Sequence, residues 1–111
     1  MASMTLNEYQ ALAERTARST LEPRERLANF AMGLAGEAGE AVDYLKKTLY
    51  HGHPMDIAVL EKELGDVLWY VATLANTVGL SLESVAEANV AKLKVRYPDG
   101  FSAARSLGRD S

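Results

Sequence analysis

The chain has 111 residues, enough to bury one core but too few for two independently stable ones, so a single domain over 1–111 is expected. Its 48% apolar and 24% charged residues exclude the polar, highly charged signature of disorder. A formal charge of -3 without a long basic block argues against a nucleic-acid partner, and the absence of cysteine excludes disulfides, thiolate zinc sites and a cysteine nucleophile.

The segment Met1 to Glu8 has no basic stretch followed by an apolar run, and nothing approaches the ~20 apolar residues of a membrane span. A cytoplasmic protein with no membrane partner is expected.

Periodicity and caps predict four helices. The first starts at Thr5, where Thr5-Leu-Asn-Glu8 has the form of a capping box, and its short apolar face holds Leu6, Tyr9, Leu12 and Ala13. The second opens at Glu22-Pro23, since proline at the first helical position loses no intrahelical bond. Its apolar run is Leu27, Phe30, Leu34, Ala38, Ala41, Val42, Leu45 and Leu49, ending near Tyr50.

His51-Gly-His-Pro54 reads as a break, with Gly52 free to take a positive φ and Pro54 unable to donate. With no cysteine and no helical histidine spacing, His51 and His53 read as loop residues, not zinc ligands.

Asp56 caps the third helix, whose apolar series is Leu60, Leu64, Val67, Leu68, Val71, Leu74 and Val78, closed by Gly79. Ser81 caps the fourth, with Leu82, Val85, Ala86, Val90 and Leu93 on its buried face, and Pro98-Asp-Gly100 ends it. Residues from about 99 to 111 are expected to form an irregular tail. Glycines 33, 36 and 39 inside the second helix each cost on the order of 1 kcal/mol relative to alanine, which points to close packing or function there.

Glu37 and Glu40 form Glu-x-x-Glu on the second helix, and Glu63 and Asp66 form Glu-x-x-Asp on the third. Three-residue spacing puts each pair on one helix face, roughly 70–140° from the centre of the apolar stripe. If the two helices pack antiparallel through their apolar stripes, both pairs converge on one groove. Four ionised carboxylates in one groove repel, and oxygen-only donors select Mg²⁺ or Mn²⁺. The competing reading is two solvated acidic helix faces, and the pattern alone weighs the two equally.

These segments resemble the MazG-like all-α nucleoside triphosphate pyrophosphohydrolases. The resemblance runs through Gly33-Leu-Ala-Gly-Glu37-Ala-Gly-Glu40, Lys46-Lys47, Glu63-Leu-Gly-Asp66-Val-Leu-Trp-Tyr70 and Asn89-Val-Ala-Lys92-Leu-Lys-Val-Arg96-Tyr-Pro-Asp-Gly-Phe101, and covers about residues 5 to 102. It implies an all-α, four-helix bundle-like MazG fold in an obligate homo-oligomer, a homodimer or dimer of dimers. It also implies hydrolysis of a (deoxy)nucleoside triphosphate to monophosphate and pyrophosphate, a reaction of nucleotide-pool housecleaning. Mg²⁺, with Mn²⁺ as a substitute, would be held by Glu37, Glu40, Glu63 and Asp66. One carboxylate would take the proton of the attacking water; which one is open, and Glu40 is the candidate. The other readings are a non-catalytic nucleotide- or metal-binding module and a structural helical dimerisation module.

Asn89, Lys92 and Arg96 can share one face of the fourth helix and present donors to a triphosphate. Tyr70 and Lys47 are further candidates for nucleotide or phosphate contact. Lys46 reads as a cation favoured by the helix C-terminus, and Asp43 turns further towards solvent. Trp69 points about 170° away from the third helix's stripe, which marks it for an oligomer interface or a base pocket.

Overall fold

A computed structural model describes residues 3–17 and 19–100. Among them are four α-helices and no strand: α1 (Leu6–Ala17), α2 (Pro23–Tyr50), α3 (Ile57–Val78) and α4 (Leu82–Arg96). No helix is long and apolar enough to cross a membrane. Phe101 to Ser111, most of the expected tail, lie outside the described residues.

The helix ends form where local chemistry places them. The Glu8 amide donates to the Thr5 hydroxyl at 3.0 Å and the Thr5 amide to the Glu8 carboxylate at 3.1 Å, the two bonds of a capping box. Pro23 opens α2, the Asp56 carboxylate accepts from the Ala58 amide, and the Ser81 hydroxyl accepts from the Ser84 amide. Gly79 adopts φ 78°, and the Leu80 amide reaches back to the Ala75 carbonyl at 2.9 Å, so α3 terminates on a left-handed residue that tolerates this geometry as glycine.

The long helices α2 and α3 form an antiparallel hairpin. At its closed end the Tyr44 hydroxyl donates to the Asp56 carbonyl and accepts from the Asp56 amide. At its open end the Arg26 Nε donates to the Thr77 hydroxyl. Gly33 lies against Tyr70 between them. The seam on α3 thus runs through Glu63, Asp66, Tyr70 and Thr77, the flank of its apolar stripe. Within that stripe Leu60, Val67, Val71 and Leu74 are half-buried. Leu64 (56% exposed), Leu68 (38%) and Val78 (54%) face out instead.

A different face of α3 receives α1. Ala13, Ala72, Ala75 and Leu82 form the buried cluster, with Tyr9, Trp69 and Val71 packed on it. The small side chains of Ala13, Ala72 and Ala75 let the axes of α1 and α3 approach closely, which leucines at those positions would prevent. Gln10 locks the register: its Nε2 donates to the Leu80 carbonyl at 2.7 Å and its Oε1 accepts from the Leu82 amide at 2.8 Å. Each bond satisfies a backbone group at the α3–α4 turn that would otherwise cost about 1–3 kcal/mol if buried alone.

Arg26 joins three helices. Its guanidinium donates to Glu14 at 2.8 and 3.1 Å, to the Ala17 carbonyl and to Thr77, and it lies over the Phe30 ring.

The fourth helix is a second departure from expectation. Leu82 is buried, but Val85, Val90 and Leu93 are 37%, 49% and 42% exposed. Within one chain α4 is anchored by its first turn and is not a fully packed member of a four-helix bundle.

Candidate metal centre and nucleotide recess

The hairpin seam sets the acids together. Heptad-like spacing carries Phe30, Gly33, Glu37 and Tyr44 along α2 and Glu63, Asp66, Tyr70 and Thr77 along α3, so the carboxylates meet halfway along two facing helices. Glu37, Glu63 and Asp66 each bring one oxygen to within 4.8 Å of the others. Glu37 and Glu63 are half-buried, and the Oε2 atom of each is fully buried with no hydrogen-bond partner. A buried acceptor without a donor is costly, and these two face the same small space.

Glu40 stands beside Glu37, one turn further on, outside the tight group of three. Desolvation first, then the carboxylates of Glu40, Asp66 and Glu63, raise the Glu37 carboxyl above the ordinary range, with a side-chain hydrogen bond to Glu40 adding to the rise. Each of these causes is relieved by a cation. Oxygen-only donors, two of them orphaned, fit a hard divalent ion, so the residues present can hold a metal.

Two recesses flank the cluster. One, of about 340 Å³, is lined by Glu40, Asp43, Tyr44, Lys47 and Glu63. Here Lys47 pairs with Asp43 at 2.9 Å and Lys46 lies 3.6 Å from the same carboxylate. The hydrogen bond from Lys47 is the main reason the Asp43 carboxyl lies below its usual range. Asp43 is thus partnered by both lysines while its side chain stays 47% exposed.

The other recess, of about 310 Å³, is lined by Thr16, Glu37, Asp66, Trp69 and Tyr70. Trp69, which points away from the apolar stripe of α3, is half-buried against α1: its Nε1 donates to the Thr16 hydroxyl at 2.8 Å. Phe30 and Tyr70 meet the indole edge to face, with centroids at 5.7 and 5.0 Å. Within one chain Trp69 is part of the recess wall.

Burial, and behind it the Asp66 carboxylate, raises the Tyr9 phenol, so α1 also lies within the field of the acids. Thr16, Tyr9, Phe30 and Arg26 were not singled out by sequence, because nothing in the local pattern says which face α1 will cover.

Asn89, Lys92 and Arg96 line neither recess. Asn89 and Lys92 are exposed on α4, so Asn89 does not sit on a packed stripe in the single chain. His51 and His53 are exposed in the loop and join no acidic group.

An all-α hairpin that brings paired acids together beside an aromatic recess defines the class: a helical domain whose seam can hold a cation, with space for a small ligand. The sequence profile of the MazG nucleotide pyrophosphohydrolase domain matches residues 26–101, and the chain belongs to that family. Over 105 residues it is 37% identical to the "Gene 37 protein" of Mycobacterium phage L5, covering 87% of this chain and 92% of the phage protein. That name states no activity. No solved structure gives a significant match.

Proposed function

We propose that the protein hydrolyses a (deoxy)nucleoside triphosphate to the monophosphate and pyrophosphate, with Mg²⁺ held by Glu37, Glu40, Glu63 and Asp66. The observation that carries this reading is the pair of buried, unpartnered Oε2 atoms of Glu37 and Glu63 in the hairpin seam. Family membership supplies the reaction type. Mn²⁺ would substitute, having the same preference for oxygen donors.

When bound, the ion supplies charge neutralisation to the triphosphate and acidity to a water molecule. The protein's part is mainly placement. Glu40, at the edge of the group of three, accepts the proton of the attacking water. Lys47, on the same recess, meets a phosphate by exchanging its Asp43 partner for a more highly charged one. Tyr70 and Trp69 offer ring faces to the base in the second recess.

The single chain leaves unusual apolar surface outside: Leu64 and Leu68 on α3, Val90 and Leu93 on α4, and Met32, Val42 and Leu49 on α2. Apolar faces on three helices are best covered by further copies, in a homodimer or dimer of dimers. The same assembly would bring Asn89, Lys92 and Arg96 of the exposed α4 to the triphosphate. A role in clearing unwanted nucleotides from the cytoplasmic pool follows from this reaction.

The test is incubation with a panel of canonical and modified nucleoside triphosphates and Mg²⁺, resolving mono- and diphosphates, pyrophosphate and phosphate. Monophosphate and pyrophosphate in equal amounts are expected from at least one substrate. Metal binding without turnover of any would leave a nucleotide- or metal-binding module, and neither would leave a structural dimerisation module.

A further inference from the structure

Thr16 occupies a place that the carboxylate chemistry does not explain. It lies on α1, ahead of the residues 26–101 that match the family, yet it lines the same recess as Glu37 and Asp66. Its hydroxyl has both its roles assigned: it donates to the Ala13 carbonyl at 2.9 Å and accepts from the Trp69 indole at 2.8 Å. The first bond fixes the direction of the lone pairs, and the second fixes the indole by its only donor.

The rest of the indole is held by rings. Phe30 meets it at an interplanar angle of 86° and Tyr70 at 90°. Edge-to-face partners of this kind resist rotation of the ring they enclose, and Phe30 is itself seated under Arg26. One edge of Trp69 is thus tied to α1, while its body forms a wall of a recess open to solvent.

We propose that Thr16 is a positioning residue of the nucleotide site: its hydroxyl holds Trp69 as a fixed stacking wall beside the carboxylates, so that α1 completes the recess. This rests on the reading of the recess as the place where a nucleotide base binds. Because the indole N–H is already used by Thr16, the base meets a ring face and receives no hydrogen bond from Trp69.

Trp69 is the only tryptophan in the chain, so its emission reports on this wall directly. The experiment titrates the full-length protein with the four ribonucleoside 5′-monophosphates and their deoxy forms, using ribose 5-phosphate as a base-free control. Wild type, Thr16→Val and Thr16→Ser are compared. Valine keeps the shape and removes the acceptor, whereas serine keeps the hydroxyl. In wild type at least one monophosphate quenches Trp69 saturably and ribose 5-phosphate does not. Thr16→Val shifts the unliganded emission and weakens that binding by about three- to tenfold, the worth of one hydrogen bond, while Thr16→Ser stays within about twofold of wild type.

The proposal is overturned if no monophosphate quenches Trp69, if Thr16→Val binds as wild type does, or if Thr16→Ser is as weak as Thr16→Val. Turnover of triphosphates without quenching would remove this role for the recess and leave the hydrolytic reading standing. Quenching that follows the expected order without turnover would do the reverse.

Discussion

A β-carbon placed on Gly33 would overlap the Cε1 and Cζ atoms of the Tyr70 ring. The two residues face each other across the α2–α3 seam, less than two turns of α2 from Glu37, so the glycine permits the close approach that sets the acids together. In an ordinary helix interior, glycine to alanine stabilises. Here the sign reverses: Gly33→Ala should lower stability by about 1–3 kcal/mol through displacement of the Tyr70 ring. Gly36, which has nothing near the position of a β-carbon, should behave ordinarily and gain about 0.5–1 kcal/mol as alanine. Chemical denaturation of the two variants side by side checks the reversal.

Arg26 ties α1 and α3 to α2 through Glu14, Ala17 and Thr77, with its side chain 13% exposed. Its removal leaves a carboxylate, a carbonyl and a ring without their partner. Arg26→Ala should cost about 2–4 kcal/mol, and Arg26→Lys should recover only part of this because an ammonium cannot bond as a fork. Thermal melts read both. Equal stability of Arg26→Ala and wild type would contradict the stitching role.

The helix boundaries were legible because their causes are local: a capping box at Thr5, proline at 23, glycine at 79 and the caps at Asp56 and Ser81 act within a few residues. The two acid pairs were legible for the same reason, since three-residue spacing fixes a shared face. The packing partner of each face was not. A hydrophobic stripe on α3 marks Leu64 and Leu68 as interior, whereas the single chain buries Ala72, Thr73 and Ala75. Alanine and threonine carry little weight in such a stripe, yet they decide where helices can approach. Nor does the pattern say what covers Trp69: α1 docks on the side opposite the expected core.

The pH dependence of stability follows from Glu37. Its carboxyl is raised by burial and by three neighbouring acids, so the folded state holds its proton more tightly than the unfolded chain. In the metal-free protein the contribution of Glu37 to stability should therefore be fully present below the ordinary carboxylate pKa and be lost as pH rises through the raised value, while Asp43, held low by Lys47, contributes in the opposite sense at lower pH. Mg²⁺ should restore the loss, so the thermal shift it produces grows with pH over this range. Glu37→Gln should flatten the dependence and reduce the shift. A Mg²⁺-induced shift independent of pH would contradict this account of the seam.

Glu40 lies at the edge of the cluster, next to Glu37 and on the recess that holds Lys47. As the proton acceptor, Glu40→Gln should lower kcat by about 10²–10⁴-fold while the protein still binds Mg²⁺. Full turnover with unchanged metal dependence would remove Glu40 from this role.

The outward apolar faces predict assembly. Leu93→Glu on α4 places a charge on a face that is 42% exposed in the single chain and would be covered between copies. Sedimentation should show wild type as a homo-oligomer and the variant shifted towards monomer. A monomeric wild type would contradict the proposed assembly.

The central claim is that the seam acids, through a divalent ion, hydrolyse a nucleoside triphosphate to monophosphate and pyrophosphate. Its most direct test is a product-resolved assay of wild type and Glu63→Gln on one accepted triphosphate, with and without Mg²⁺. Monophosphate and pyrophosphate from wild type with Mg²⁺ alone, and their loss in a folded Glu63→Gln protein, are the predicted results. Diphosphate and phosphate as products, or wild-type turnover by Glu63→Gln, would contradict it.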